Sequence, residues 1–494
     1  MESKRRSVIV FQIIVTLLGI IATAYGVSSK NLDAMSAGIL IIWIGNMIFC
    51  LEEFQKRFFF FLFQCTFFTF LLGRIVVSYL RGQKWWTEIG QAYENNCFAV
   101  VAIAISLVSL YLGAVITEYF WNRKKTVNFE WNESKIEYRK NLQAIALCVF
   151  LVTFIFFCIQ EGEKLFYVWD KSYVEYYTGF HQQFPFWVYT IASFMKYSLC
   201  LYLATLPSKK RSFIPLVMYV ISNIPSLLIG MRNPIVLSIL FALSYYVLRN
   251  ILDNKEKWFG RLEKICIVIT IPIGVVFLAA YSYIRSDQAL KTINPFRLFT
   301  EFFYGQGVTL NVLTRGYGYR LNLPEREFRN YTFGGIIDYI VHGNIGQLLF
   351  GTEALPEGNC WTNGRISNNL SHNLSYVIMK EEYLSGRGLG SSYILENYID
   401  FGYIGIAVFS IILGGLLIWF MRGIGKSNLL NAIMLISLTE IFYIPRAEAT
   451  GWLTFIVTLQ FWACILACYV GAWILGKWRW LSLLLEKMRI KVKE

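Results

Sequence analysis

The sequence predicts an all-α polytopic membrane protein of about twelve transmembrane helices, with one long extracytoplasmic loop containing short amphipathic helices. Three observations predict it. The 494 residues are 56% hydrophobic and 16% charged, where an ordinary soluble chain is about 45–50% apolar and about 25% charged. Apolar runs of roughly 20 residues, enough to cross a hydrocarbon core about 30 Å thick, recur along the whole length. Polar residues, by contrast, crowd into one stretch, 359–405.

Taken in order, the chain starts with Lys4, Arg5 and Arg6 ahead of an apolar run that lacks a small-residue cleavage site. This reads as an uncleaved first span. Spans are expected near 8–27, 35–51, 58–80, 97–117, 142–159, 185–206, 214–230, 234–251, 265–283, 399–421, 429–444 and 451–475. With the N-terminus in the cytoplasm, the inside segments hold 27 of the 46 basic residues, as the positive-inside rule requires. Both termini then lie in the cytoplasm. The net charge of +14 is explained by this distribution and does not call for a nucleic acid. The tail WRWLSLLLEKMRIKVKE reads as a basic amphipathic segment on the inner surface.

The domain organisation follows: a membrane domain over 1–283, a long extracytoplasmic loop over 284–398, and a second membrane part over 399–494. Loops this long in compact proteins are usually functional. Within it, Phe296-Arg297-Leu298-Phe299 and Gly335–Val341 have the pattern of short amphipathic helices on the outer leaflet. The loop carries eight arginines (Arg285, Arg297, Arg315, Arg320, Arg326, Arg329, Arg365, Arg387) and two lysines, balanced by ten acids. A guanidinium binds phosphate oxygens bidentately and an ammonium does not, so the bias suits a few diphosphate contacts. Salt bridges with the ten acids are the plainer expectation for most of them.

Eight of the ten cysteines fall inside spans, where they behave as small hydrophobes. Cys97 and Cys360 alone can meet an oxidising exterior and pair. No residues have metal-ligand spacing, and no cofactor is expected.

Several residues in outside segments can carry chemistry. His372 can act as a general base because its ordinary pKa lies near working pH, although a lone loop histidine is more often structural. The Gly386–Gly390 turn runs into Ser391 and Ser392 at a helix start, an arrangement that presents backbone N–H groups to an anion. Glu396 and Asp400, four apart, share a helix face and can orient the histidine, hold sugar hydroxyls or pair with Arg387 or Arg446. Arg232 and Arg446 sit in short outside turns, where interfacial anchoring competes with a functional role. Lys196 and Glu440, deep in spans, are expected to pair or face a polar cavity.

His372-Asn373, followed by Gly388-Leu389-Gly390-Ser391-Ser392-Tyr393-Ile394 and Glu396 to Gly405, resembles the Wzy-type polysaccharide polymerases of bacterial capsule and O-antigen synthesis, which are related to the O-antigen ligases. The resemblance implies a metal-independent glycosyltransferase on the outer face of the bacterial cytoplasmic membrane. It would transfer a growing glycan from undecaprenyl diphosphate to the terminal sugar of a lipid-linked repeat unit. Its partners would be those lipid-linked oligosaccharides, the bilayer, a chain-length regulator and a flippase. The resemblance implies catalytic roles for His372, Arg232 and Arg285, with Arg297 or Arg315 as alternatives to Arg285. Arg387, Arg446, Glu396, Asp400, Ser391, Ser392, Tyr393 and Asn373 are the expected substrate contacts. An O-antigen-type ligase differs only in acceptor. A lipid-linked oligosaccharide flippase or transporter would call for roughly repeated halves and charges facing a midplane cavity, whereas here the polar density lies in one outside loop and the halves do not look alike.

Overall fold

The computed structural model describes residues 2–122, 133–169, 171, 175–176, 179–252, 256–285, 294–425 and 427–477, and the basic tail expected on the inner surface lies outside them. The described residues form helices and no strands. Among the described residues, eleven helices are long and apolar enough to cross a membrane. The twelfth expected span is present as the helix Phe186–Ala204, whose polarity is raised by Lys196 and three tyrosines.

Helix pairs rather than a single layer build the bundle. Glu2–Ser28 packs along Leu32–Glu52, Tyr93–Asn122 along Tyr393–Gly423, and Glu133–Val168 along Phe186–Ala204. Between helices in lipid the drive is close packing, since lipid tails are as apolar as leucine. Glycine supplies it at the second pair. A Cβ on Gly113 would stand 1.9 Å from the Ile411 carbonyl oxygen, and one on Gly414 would stand 2.0 Å from that of Leu110.

One end of the bundle is closed by a buried ion cluster. Arg57 binds Glu118 at 2.9 Å and Glu52 at 2.9 Å, and Arg422 binds Glu118 at 2.7 Å. The other end carries residues 294–392, folded into short helices that include Pro295–Gln306, Thr309–Gly318, Gly334–His342 and Leu370–Ile378. Both segments expected to be amphipathic are among them. Arg81 to Glu301 (3.0 Å) and Tyr304 to Glu88 (3.1 Å) pin the segment to the bundle.

Three local departures from the expected spans matter. The span near 429–444 is α-helical only over Asn428–Leu438, then continues as tight 3-10 turns over Ile441–Arg446 and Gly451–Val457. The last α-helix accordingly begins at Leu459, not 451. Irregular backbone between apolar spans is tolerated where it lines a cavity, and this one does. The helix Tyr393–Gly423 is kinked at Gly402, which has φ 65° and so sits where only glycine is comfortable.

Candidate active site

Leu370–Ile378 presents the histidine. Asn369 caps it, its Oδ1 accepting from the Ser371 N–H (2.9 Å) and the Ser371 hydroxyl (2.7 Å). The same amide donates through Nδ2 to Glu448 Oε1 at 2.5 Å. His372 follows Ser371, with Nδ1 2.8 Å from the Tyr383 hydroxyl. Assigning the one Tyr383 proton to the Cys360 carbonyl (3.2 Å) makes Tyr383 the acceptor from His372, with the ring proton on Nδ1. That leaves Nε2 with its lone pair. Burial lowers the His372 pKa and favours this neutral form.

Alongside lies a cavity of about 930 Å³, walled by Phe186–Ala204 and the irregular chain from Thr439 to Thr454. Lys196, Glu440, Arg446, Glu448, Ser371 and Ser391 all line it. Lys196 and Glu440 form an ion pair across it, in keeping with the sequence expectation. Arg446 Nη1 is held by the Gln306 carbonyl (3.3 Å) and Oε1 (3.2 Å). Glu448 has its carboxyl pushed up to about 7, by burial first and then by Asp338 and Glu440.

The expected arginines divide. Arg446 is on the cavity wall. Arg232 reaches the Leu278 carbonyl (3.1 Å), and its neighbours Asn233 and Pro234 line the cavity. Arg285 ends its helix, with a side chain outside the described residues. Arg387 is exposed on the turn. Arg320, Arg326 and Arg329 donate to the backbone carbonyls of Tyr317, Ile366 and Pro324, so these three bind backbone oxygens where salt bridges to loop acids were expected.

Several sequence expectations are corrected. Asn373 is fully buried and spends its whole amide on Arg326, Tyr331, Asn363 and Gly364, so it braces the loop. Tyr393 points into the bundle and meets Ser106 at 2.5 Å, and Ser392 is buried beside it. Glu396 and Asp400 do not orient the histidine. Glu396 accepts from Ser391 (2.5 Å) and the Ala449 N–H (2.7 Å), while Asp400 accepts from the N–H groups of Tyr331 (2.9 Å) and Thr332 (2.6 Å). They pin two loops. The Gly386–Gly390 turn is closed over its first part, while Gly390 lies on the cavity wall. Its N–H groups at Gly386, Arg387 and Leu389 are taken by Tyr383 O, Glu382 O and Ser375 Oγ. Cys97 and Cys360 are free thiols.

Compared with known families, residues 8–477 match the model of the O-antigen polysaccharide polymerase Wzy. The chain belongs to that family. No curated protein and no solved structure matches it. Membership makes it a multi-pass membrane protein, a glycosyltransferase-type polymerase acting on lipid-linked oligosaccharide repeat units.

For this Wzy-family polymerase, sequence reasoning missed Tyr383, Asn369, Ser371 and Glu448. Tyr383 carried no motif, since its distance to His372 is set by the turn at Met379 between two short helices. Glu448 did carry a signal: it follows Arg446 by two residues, in the same turn.

Proposed function

We propose that this polymerase transfers a growing glycan from undecaprenyl diphosphate to the terminal sugar of a lipid-linked repeat unit, on the outer face of the cytoplasmic membrane. The observation carrying this reading is the cavity of about 930 Å³ with Arg446 on its wall and the His372 helix at its edge. His372 Nε2 takes the proton of the acceptor hydroxyl as that oxygen bonds to the anomeric carbon of the donor. The bond from that carbon to the diphosphate breaks, and the electron pair leaves with the phosphate oxygen. Arg446, with Arg232 and Arg285 as the further arginines the family resemblance implies, offsets the developing negative charge, which needs only fixed positive groups in a water-poor site. The distribution of basic residues supports the sidedness, with both termini cytoplasmic. The exposed Leu348, Leu349 and Phe350 give the loop segment an apolar edge suited to lipid, where polyprenyl tails lie. A chain-length regulator and a flippase are the functional neighbours this activity requires.

Purified protein given a lipid-linked repeat unit should lengthen it. Alanine at His372 or Arg232 should abolish long polymer while the protein remains in the membrane. Full-length polymer from both variants would remove these residues from the mechanism.

A further inference from the structure

Several cavity-lining groups have their hydrogen-bond roles fixed by neighbours. Ser371 Oγ gives its single proton to Asn369 Oδ1 and Ser391 Oγ gives its own to Glu396 Oε1, so both hydroxyls turn only lone pairs to the cavity. Asn369 cannot be flipped, because its Oδ1 also accepts from the Ser371 N–H while its Nδ2 serves Glu448. Glu448 uses Oε1 in that bond. Its Oε2 stands beside Gly335 and Gly451, where a Cβ would come within 3.0 and 3.2 Å, so two glycines keep the space at this oxygen open. This part of the wall therefore offers three acceptors, one of them a carboxylate, with the Thr454 hydroxyl beside Glu448 Oε2 able to give or take a proton. Arg446 and Lys196 bring donors, Lys196 being paired with the Glu440 carboxylate that also lines the cavity.

We propose that Ser371, Ser391 and Glu448 form the subsite for the acceptor sugar, receiving its hydroxyl protons, and that the donor diphosphate lodges on the Arg446 side. The assignment rests on the polymerase reading and adds a direction to it. A phosphate or carboxylate placed against three lone-pair groups would be repelled, whereas a ring hydroxyl satisfies them. Ser371, on this wall, is the residue before His372 in Leu370–Ile378.

Glu448→Gln tests this without changing shape. Glutamine keeps the Asn369 bond through its oxygen and turns an NH₂ toward the cavity, exchanging an acceptor for a donor. Wild-type and variant protein in lipid nanodiscs would be given a saturating preformed lipid-linked oligomer as donor, with a single lipid-linked repeat unit titrated as acceptor. The expected result is a KM for the acceptor raised about tenfold or more, since a buried polar group is left facing its own kind. Ser371→Ala, which keeps the backbone cap, should raise the same KM several-fold and serves if Glu448→Gln does not reach the membrane. Unchanged acceptor KM in either folded variant, or a fall in kcat alone, overturns the subsite. Failure of the wild type to lengthen the repeat overturns instead the polymerase reading on which it rests.

Discussion

His372 Nδ1 lies 2.8 Å from the Tyr383 hydroxyl, whose own proton goes to the Cys360 carbonyl. This one contact decides which ring nitrogen is the base. Removing the phenolic oxygen should leave the ring free to take the wrong tautomer or turn. Tyr383→Phe is expected to slow elongation about tenfold, the worth of roughly one hydrogen bond. His372→Ala should cost about 10²–10⁴-fold, the usual contribution of general base catalysis. Single-turnover elongation with purified protein measures both, and equal rates for wild type and Tyr383→Phe would refute the tautomer argument.

Acid should act on acceptor binding before it acts on the base. The groups facing Glu448 are Asp338, Glu396, Glu440 with its partner Lys196, and Arg446. Burial together with Asp338 and Glu440 holds its carboxyl at about 7, and burial pulls His372 below its ordinary value. Protonated Glu448 is a donor facing a donor. Acceptor KM should therefore rise as pH falls through about 7, with kcat declining only at lower pH. A KM that stays flat from about pH 6 to 8 would count against it.

The same carboxylate should weaken the fold. Its folded-state pKa stands above the usual carboxylate value, so the penalty is absent below about pH 4.5 and complete above about 7. Stability from this group falls as pH rises, opposite in direction to acceptor binding. Glu448→Gln should raise the apparent melting temperature in detergent at pH 8 and leave it nearly unchanged at pH 4, a trade of stability against function. A lower melting temperature at pH 8 would show that Glu448 stabilises the protein.

The contact between Tyr93–Asn122 and Tyr393–Gly423 should tolerate no side chain at its closest points. Gly113→Val places carbon where the Ile411 carbonyl already sits, 1.9 Å away. Overpacking of this kind costs about 1–3 kcal/mol, and more where backbone must move. Gly274→Val, where nothing stands within 4 Å, is the matched control. Comparable amounts of both variants in the membrane, with comparable melting, would disprove the packing argument.

Arg446→Lys should resemble a loss rather than a conservative change. Gln306 holds one guanidinium nitrogen, leaving the other donors for a ligand, and lysine cannot satisfy both from one point charge. A drop in kcat/KM of about tenfold is expected, with acceptor KM little altered.

The sequence by itself determined the membrane class, the twelve helical segments and the stretch where the histidine lies. Hydrophobic runs and the placement of Lys and Arg are local properties, and lipid acts on each run separately. It also marked Lys196 and Glu440 as partners, because two opposite charges in apolar spans need one another. What only the tertiary structure decided is which polar groups remain free. Glu396, Asp400 and Asn373 looked available in the sequence, yet each is consumed by a loop that is remote in the chain: Ala449, Thr332 and Arg326 respectively. Glu448 looked incidental and keeps an open oxygen. Hydrogen-bond satisfaction is set by what folds against a residue, and composition and spacing carry no record of that.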